Sequence, residues 1–372
     1  MNNLLIITGA GASYDVINEE IISSEASGTS SYRPPLTKNI FYPPLPDARE
    51  VGSPNEESGY ILTCLREHPL AYQAGYEFHN LFGKNNAEAN LEKFLSELKS
   101  SNKFIIKSQF WAIPLYLYDL FFKISTGYLP TSYGLPSNYK SLIDKISQSN
   151  YNQIIWLNLN YDLLADYAIK ISTNNELKDL NDYMELQTQD GLKIKYTKPH
   201  GSVDWFKKIS DPDIRWEDIK LGRLPTGFES RLSKEIYKEG SFPETQAFTT
   251  SKGEMTFSFP EGWYPAITAP IGEYDFVYQR HVKDIVPDLK KTDAILCIGF
   301  GALDKDILEL IKKEMPEIKK LQIVNGPRAE GEHAHQRIIN HCYNVKLNHI
   351  EAVFEGGFTQ FVKKGLEDWL RQ

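Results

Sequence analysis

The stretch Leu4-Leu5-Ile6-Ile7-Thr8-Gly9-Ala10-Gly11-Ala12-Ser13 limits the folds open to this chain more than any other. Four consecutive apolar residues fit a strand buried on both faces, as in a parallel sheet. The strand breaks into a turn of small residues. Such a turn lets the backbone approach a diphosphate, whose charge then meets amides at the start of a following helix. Tight packing of a helix on a sheet uses the same residues and is the structural alternative. The dehydrogenase fingerprint is not met. Gly9 and Gly11 supply two glycines, Tyr14 holds the third position, and no second strand with a ribose-binding acid follows. Hydride transfer is therefore disfavoured.

Three later segments repeat the pattern of an apolar run ending in small or polar residues. Gln153 to Asn160 is the first; it ends in Asn160-Tyr161-Asp162 and leads into a helix over 163–171. Ala294 to Ile298 ends in Gly299-Phe300-Gly301, and Leu321 to Val324 ends in Asn325-Gly326-Pro327. Helices are expected over 276–289, 304–315 and 333–341, with a further strand over 266–271. Strands alternating with helices at this spacing predict an α/β fold, a Rossmann-like doubly wound parallel sheet. Ligands in such sheets lie beyond the carboxyl ends of the strands. That places Asn160, Asp162, Gly299, Gly301 and Asn325 around one crevice. Helix capping is the structural alternative for Asn160 and Asp162. Lys193 to Lys198 alternates like a strand and meets Pro199-His200-Gly201-Ser202. Gly201 suits a tight turn, and Ser202 is a candidate to orient the His200 ring.

Between these segments the pattern changes. A helix over 14–25 precedes a long proline-containing loop that runs to Pro54 and includes Arg33, placed to meet a phosphate if the loop is a flap. Residues 60–146 read as a helical module inserted into a single domain spanning 1–372. Leu91, Phe94, Leu95 and Leu98 recur at helical spacing, and Phe110 to Ile124 forms an aromatic-rich helix containing Pro114. Residues 205–262 read as a second, irregular insertion.

Composition narrows the function classes. Hydrophobic residues make up 41% of the 372, enough for a sizeable core, and the formal net charge of −8 argues against broad binding to nucleic acid or anionic membranes. Cys64, Cys297 and Cys342 are too dispersed for a zinc ribbon or a disulfide framework. No run reaches the roughly 18 apolar residues of a bilayer span. The first strand starts too near Met1 for a secretory signal, so a cytoplasmic location is expected.

The ordered set of motifs resembles the sirtuin-like fold. The family's Gly-Ala-Gly-x-Ser turn is matched by Gly9 to Ser13. Its Thr-Gln-Asn-x-Asp motif aligns with 158–162, where Asn160 and Asp162 match and the first two residues do not. Its His-Gly appears as His200-Gly201, its Gly-x-Ser turn as Gly299-Phe300-Gly301, and its adenosine-side Asn as Asn325. The four-cysteine zinc module of protein-deacylating sirtuins has no counterpart. Arg33-Pro34-Pro35, the Asn-Tyr-Asp form and the Gly-Phe-Gly-x-x-x-x-Asp turn look like the bacterial sirtuin-like NAD hydrolases of antiphage defence.

That resemblance implies NAD as substrate, no metal, and cleavage of the nicotinamide–ribose bond to nicotinamide and ADP-ribose. The transition state is oxocarbenium-like, and without a zinc lobe to build an acyl-lysine channel the nucleophile is water. His200 is assigned as general base, and Asn160 holds the ribose and positions the water. Asp162 orients the nicotinamide-side ribose or amide. Gly9, Ala10, Gly11 and Ser13 cradle the diphosphate, and Asn325 holds the adenosine ribose. The resemblance further implies homo-oligomeric assembly as control, with the helical insertion as candidate contact, and a partner such as an ATPase or an Argonaute-like protein. Two alternatives remain: a catalytically quiet NAD- or ADP-ribose-binding assembly subunit, and an NAD-dependent protein deacylase.

Overall fold

A computed structural model describes residues 3–16, 34–41, 56–82, 87–128, 137–223, 227–236, 243–245, 249–251, 254–256, 262–269, 277–326, 328–342, 346–347 and 350–371. Arg33 and most of the proline-containing loop lie outside these residues. The chain divides into two compact units. The first comprises Met1–Ser24, Ser132–Pro199 and Gly272–Gln372; the second comprises Glu25–Thr131 and His200–Ile271.

The first unit is built on a seven-stranded sheet. Its strands are β1 (Asn3–Thr8), β2 (Gln153–Asn158), β3 (Leu186–Gln187), β4 (Lys193–Thr197), β5 (Thr292–Ile298), β6 (Lys320–Asn325) and β7 (Ile350–Glu355), in the order β7-β6-β5-β1-β2-β4-β3. All pairs are parallel except β3 with β4. Without the short β3, this is the doubly wound order in which the chain runs outward from β1 in one direction and then in the other. The expectation of a Rossmann-like parallel sheet is met.

Burial explains the sequence of these strands. All six residues of β1 are buried, and β5 and β6 are nearly so, as central parallel strands require. Alternate residues Leu5, Ile7, Ile155, Leu157, Ile295, Cys297, Leu321 and Ile323 share one face with Ile285, Leu289, Ile307, Ile311 and Ile338 from three helices. On the other face Trp156 meets Tyr139 of the helix Asn138–Ser147 at 5.7 Å between ring centroids, and Tyr139 meets Phe358 at 5.3 Å. Thr8 aligns with both Asn158 and Ile298, so the carboxyl ends of β2, β1 and β5 finish level. The three cysteines are buried and free.

In the second unit the helices Glu56–Arg66, Pro69–Phe82, Ala87–Ser100 and Phe104–Tyr128 occupy most of the region expected to be helical. Phe110, Trp111, Tyr116, Tyr118 and Phe121 are buried, so the aromatic stretch is core rather than open surface. The Asp119 carboxylate lies 2.7 Å from both His68 Nε2 and the Lys220 ammonium. The rest of the unit is less irregular than its sequence suggests. Gly201–Lys208 pairs antiparallel with Glu244–Thr245 on one side and Trp263–Ile267 on the other.

That sheet corrects two expectations. The late strand expected over 266–271 is Trp263–Ile267 and belongs to this antiparallel sheet, not to the parallel one. Gly201 does not form a free-standing turn. It opens a strand with φ +86, and a Cβ there would fall 1.7 Å from the Ala266 carbonyl oxygen. The glycine is needed for close approach of two strands.

Candidate functional site

The doubly wound order reverses between β1 and β5, and ligands of such sheets bind beyond the carboxyl ends of the strands at that reversal. The turn after β1 and the turn after β5 meet there. Gly9 N–H donates to Ile298 O at 3.0 Å and Gly11 N–H to Gly299 O at 3.2 Å. A Cβ on Gly9 would lie 2.5 Å from Gly299 O, and one on Gly11 2.9 Å from the Gly299 Cα. Both turns are therefore glycine because their backbones touch. The amides of Gly9 and Gly11 are engaged by the neighbouring turn. The helix Ala10–Val16 begins inside the expected turn, two residues after the strand ends. Gly299 N–H in turn donates to Val324 O at 2.8 Å, which sets Asn325 at the same end of the sheet. Asn325 is only 7% exposed. Gly301 has no steric need to be glycine, since a Cβ would reach nothing nearer than Leu303 Cδ1 at 3.9 Å. Its carbonyl accepts from the Arg337 guanidinium at 2.7 Å.

From the other side, β2 delivers Asn158, Asn160 and Asp162. Asn160 Nδ2 lies 3.0 Å from Gly9 O, 3.0 Å from Ser13 Oγ and 3.3 Å from the Tyr139 hydroxyl. Ser13 Oγ and Tyr139 OH are 2.9 Å apart. Asn160 thus clamps the end of β2 to the first turn. Asp162 Oδ1 accepts from Leu164 N–H at 3.1 Å, a side-chain turn that stands one residue before the Leu163 N-cap, so Asp162 is not itself the helix cap. Its Oδ2 is buried and has no hydrogen-bond partner among the described residues. Burial raises the Asp162 pKa, and the Lys198 ammonium, the Leu164 N–H and the nearby Ser13 hydroxyl pull it back. Burial also pushes the Tyr139 phenol well above its usual range, with the Asp162 charge adding to it.

Beneath this rim lies a buried polar network. Trp156 Nε1 donates to Thr8 Oγ1 at 3.0 Å, and Thr8 Oγ1 donates to Asn158 Oδ1 at 2.9 Å. Asn158 Nδ2 donates to the Tyr196 hydroxyl at 2.7 Å, and Tyr196 donates to Asp166 Oδ2 at 2.9 Å. Lys198, fully buried, donates to that same oxygen at 3.0 Å and to the Asp162 carbonyl at 2.6 Å. Sequence reasoning missed Tyr139, Asp166, Tyr196 and Lys198. A buried lysine has no signature in one sequence, because lysine is almost always solvated.

The first unit therefore brings Gly9, Ala10, Gly11, Ser13, Asn160, Asp162, Gly299 and Asn325 to one end of one sheet. His200 belongs to the second unit, where its carbonyl accepts from Thr268 N–H at 3.0 Å.

One histidine of the first unit sets a pH dependence. His281 Nε2 donates to Leu180 O at 2.6 Å, and Nδ1 lies 3.2 Å from Thr197 Oγ1, which donates to it when the ring is neutral. Burial lowers its pKa to about 4. The unfolded chain takes up the proton near pH 6.5, so stability present above that pH is lost as pH falls toward 4, by about 3 kcal/mol. Denaturation midpoints of the parent protein should fall over that window, and those of His281→Phe should fall less.

These features define a doubly wound α/β protein with polar side chains gathered at the reversal of its strand order. No family model and no curated protein matches the chain. Among solved structures it is similar to a Sir2 homolog–NAD complex, at 8% identity and a TM-score of 0.35, over 99% of this chain and 88% of that one. Among the described residues no helix is long and apolar enough to cross a membrane, and no group of three or more His, Cys, Asp or Glu could hold a metal ion.

Proposed function

We propose that the protein is an NAD hydrolase that cleaves the nicotinamide–ribose bond. The observation that carries this reading is a placement: the Asn160–Asp162 segment stands beside a glycine turn at the strand-order reversal, with a buried Asp162 oxygen lacking a donor among the described residues. A ribose hydroxyl or a carboxamide N–H is the kind of group that satisfies such an oxygen. In the proposed reaction the C–N glycosidic bond breaks and nicotinamide leaves with the electron pair. Water adds to the anomeric carbon, and its proton passes to His200. Gly9, Ala10, Gly11 and Ser13 cradle the diphosphate, Gly299 and Gly301 permit close approach of the nucleotide, Arg33 is assigned to a phosphate from the sequence alone, and Asn325 holds the adenosine ribose. NAD depletion in antiphage defence, control by assembly, and an ATPase or Argonaute-like partner are parts of this proposal that rest on the motif resemblance alone.

The test is nicotinamide release from NAD by the purified protein, followed by chromatography, with His200→Ala beside it. Release by the parent and a loss of about a hundredfold or more in the variant are expected. Equal release by the two refutes the assignment of His200. A second reading has its own support. The Asn160 amide is already engaged by Gly9, Ser13 and Tyr139, which suits a subunit that binds the nucleotide without turning it over. NAD binding without nicotinamide release by the parent would favour it.

A further inference from the structure

Lys198 is fully buried at the end of β4, and its contacts include main-chain carbonyls as well as a carboxylate. An ammonium has three N–H groups. It reaches Asp166 Oδ2 at 3.0 Å. It also donates to the main-chain carbonyls of Asp162 at 2.6 Å and Tyr161 at 3.4 Å. Asp166 does not depend on Lys198 alone for hydrogen bonds, since Tyr196 donates to Oδ2 at 2.9 Å and Tyr183 to Oδ1 at 3.3 Å. The carbonyls do gain from the lysine. They belong to the segment between β2 and the helix Leu164–Thr173, which carries Asn160 and Asp162 at its two ends.

The lysine is itself held. The next residue, Pro199, accepts through its carbonyl from Val277 N–H at 2.9 Å, which fastens the end of β4 to the start of the following helical segment. The Asn160–Asp162 segment is also fixed by the Asn160 side chain on Gly9, Ser13 and Tyr139, by the Asn160 N–H on Asn158 Oδ1 at 3.2 Å and by the Leu164 N–H on Asp162 Oδ1. Lys198 ties this segment's carbonyls to the end of β4. Burying an ammonium is unfavourable unless every partner is well placed. Here the placement serves a loop rather than only a counter-charge.

We propose that Lys198 is a positioning residue: its bonds to the Tyr161 and Asp162 carbonyls hold the Asn160–Asp162 segment in the conformation that receives the nucleotide. The ligand half of this inference rests on the NAD reading above; the geometric half does not. The test uses the full chain carrying Lys198→Met together with Asp166→Asn, so that the carboxylate bonded to Lys198 is not left as an unpaired buried charge. Two measurements are made on it: amide hydrogen exchange without ligand, and NAD binding by calorimetry. Exchange at Asn160 and Leu164 is expected to speed up at least tenfold, with the amides of β1 and β5 unchanged, and NAD affinity to fall at least tenfold. Lys198→Arg, which keeps donors for the carbonyls, is expected to restore part of both. A folded double variant with parental exchange at Asn160 and Leu164 overturns the proposal. So does faster exchange with undiminished NAD affinity. Faster local exchange in a protein whose parent binds no NAD leaves the positioning role supported and refutes the NAD reading instead.

Discussion

Gly299→Ala is expected to cost about 4 kcal/mol or more and to leave little folded protein at 25 °C. Two effects add at this position. Its φ of +58 is left-handed, which a residue with a Cβ adopts only with strain. The larger effect is the contact, because the new Cβ would lie 2.1 Å from Ala12 N and 2.4 Å from the Gly11 carbonyl carbon. Those atoms are backbone, and they belong to a turn pinned by hydrogen bonds from Gly9 and Gly11. No side chain can swing away to make room. Urea denaturation followed by tryptophan fluorescence reads the result, since Trp156 is buried in the same sheet. Gly301→Ala, where a Cβ meets nothing closer than 3.9 Å, is the control and should shift stability by less than about 0.5 kcal/mol. Equal stability of the two variants would mean that the turns after β1 and β5 are not in contact.

Lys198→Met alone is expected to destabilise by about 3–5 kcal/mol, the usual result of removing one partner from a buried ion pair. Methionine fills much of the same volume, so the loss is one of charge and hydrogen bonds rather than of packing. The Asp166 carboxylate would keep the Tyr196 and Tyr183 hydroxyls but would face no cation. Adding Asp166→Asn to the same chain removes the unpaired charge at 166, and part of the lost stability should return, the rest being lost at Asp162, which also faces the ammonium. Denaturant midpoints of the two singles and the double close the cycle. A single variant as stable as the parent would show that the ammonium is not buried as described.

The strands that organise the first unit are legible in the sequence because burial on both faces forces uninterrupted apolar runs, as in Leu4 to Ile7 and Ala294 to Ile298. Their polar ends are legible for the same reason, since the run stops where the strand leaves the core. Partnership is not legible. Trp263–Ile267 resembles the other late strands in composition, and only its pairing with Gly201–Lys208 shows that it belongs to an antiparallel sheet. The strand β7, Ile-Glu-Ala-Val-Phe-Glu, lies at the sheet edge, and its apolar run is only three residues long between two glutamates, too short to mark it. At the site, the glycines are readable as a close approach, but not as an approach of one turn to another. Asn160 is readable as a polar group at a strand end, whereas its bond to the Gly9 carbonyl spans 151 positions and depends on the fold being formed. Tyr139 and Lys198 become visible only once that fold has buried them.

The position of β1 at the middle of the sheet has a consequence during synthesis. Its neighbours are β2, about 150 positions later, and β5, almost 290 positions later. A ribosome adding about 5–20 residues per second needs on the order of tens of seconds to make the second of them. Until β2 is made neither edge of this apolar strand has its partner, and the edge that β5 will cover stays open until the end of that time. The nascent protein therefore has a long window in which this segment can pair wrongly, and chaperone binding to the first ten residues should be strongest before residue 300 is translated.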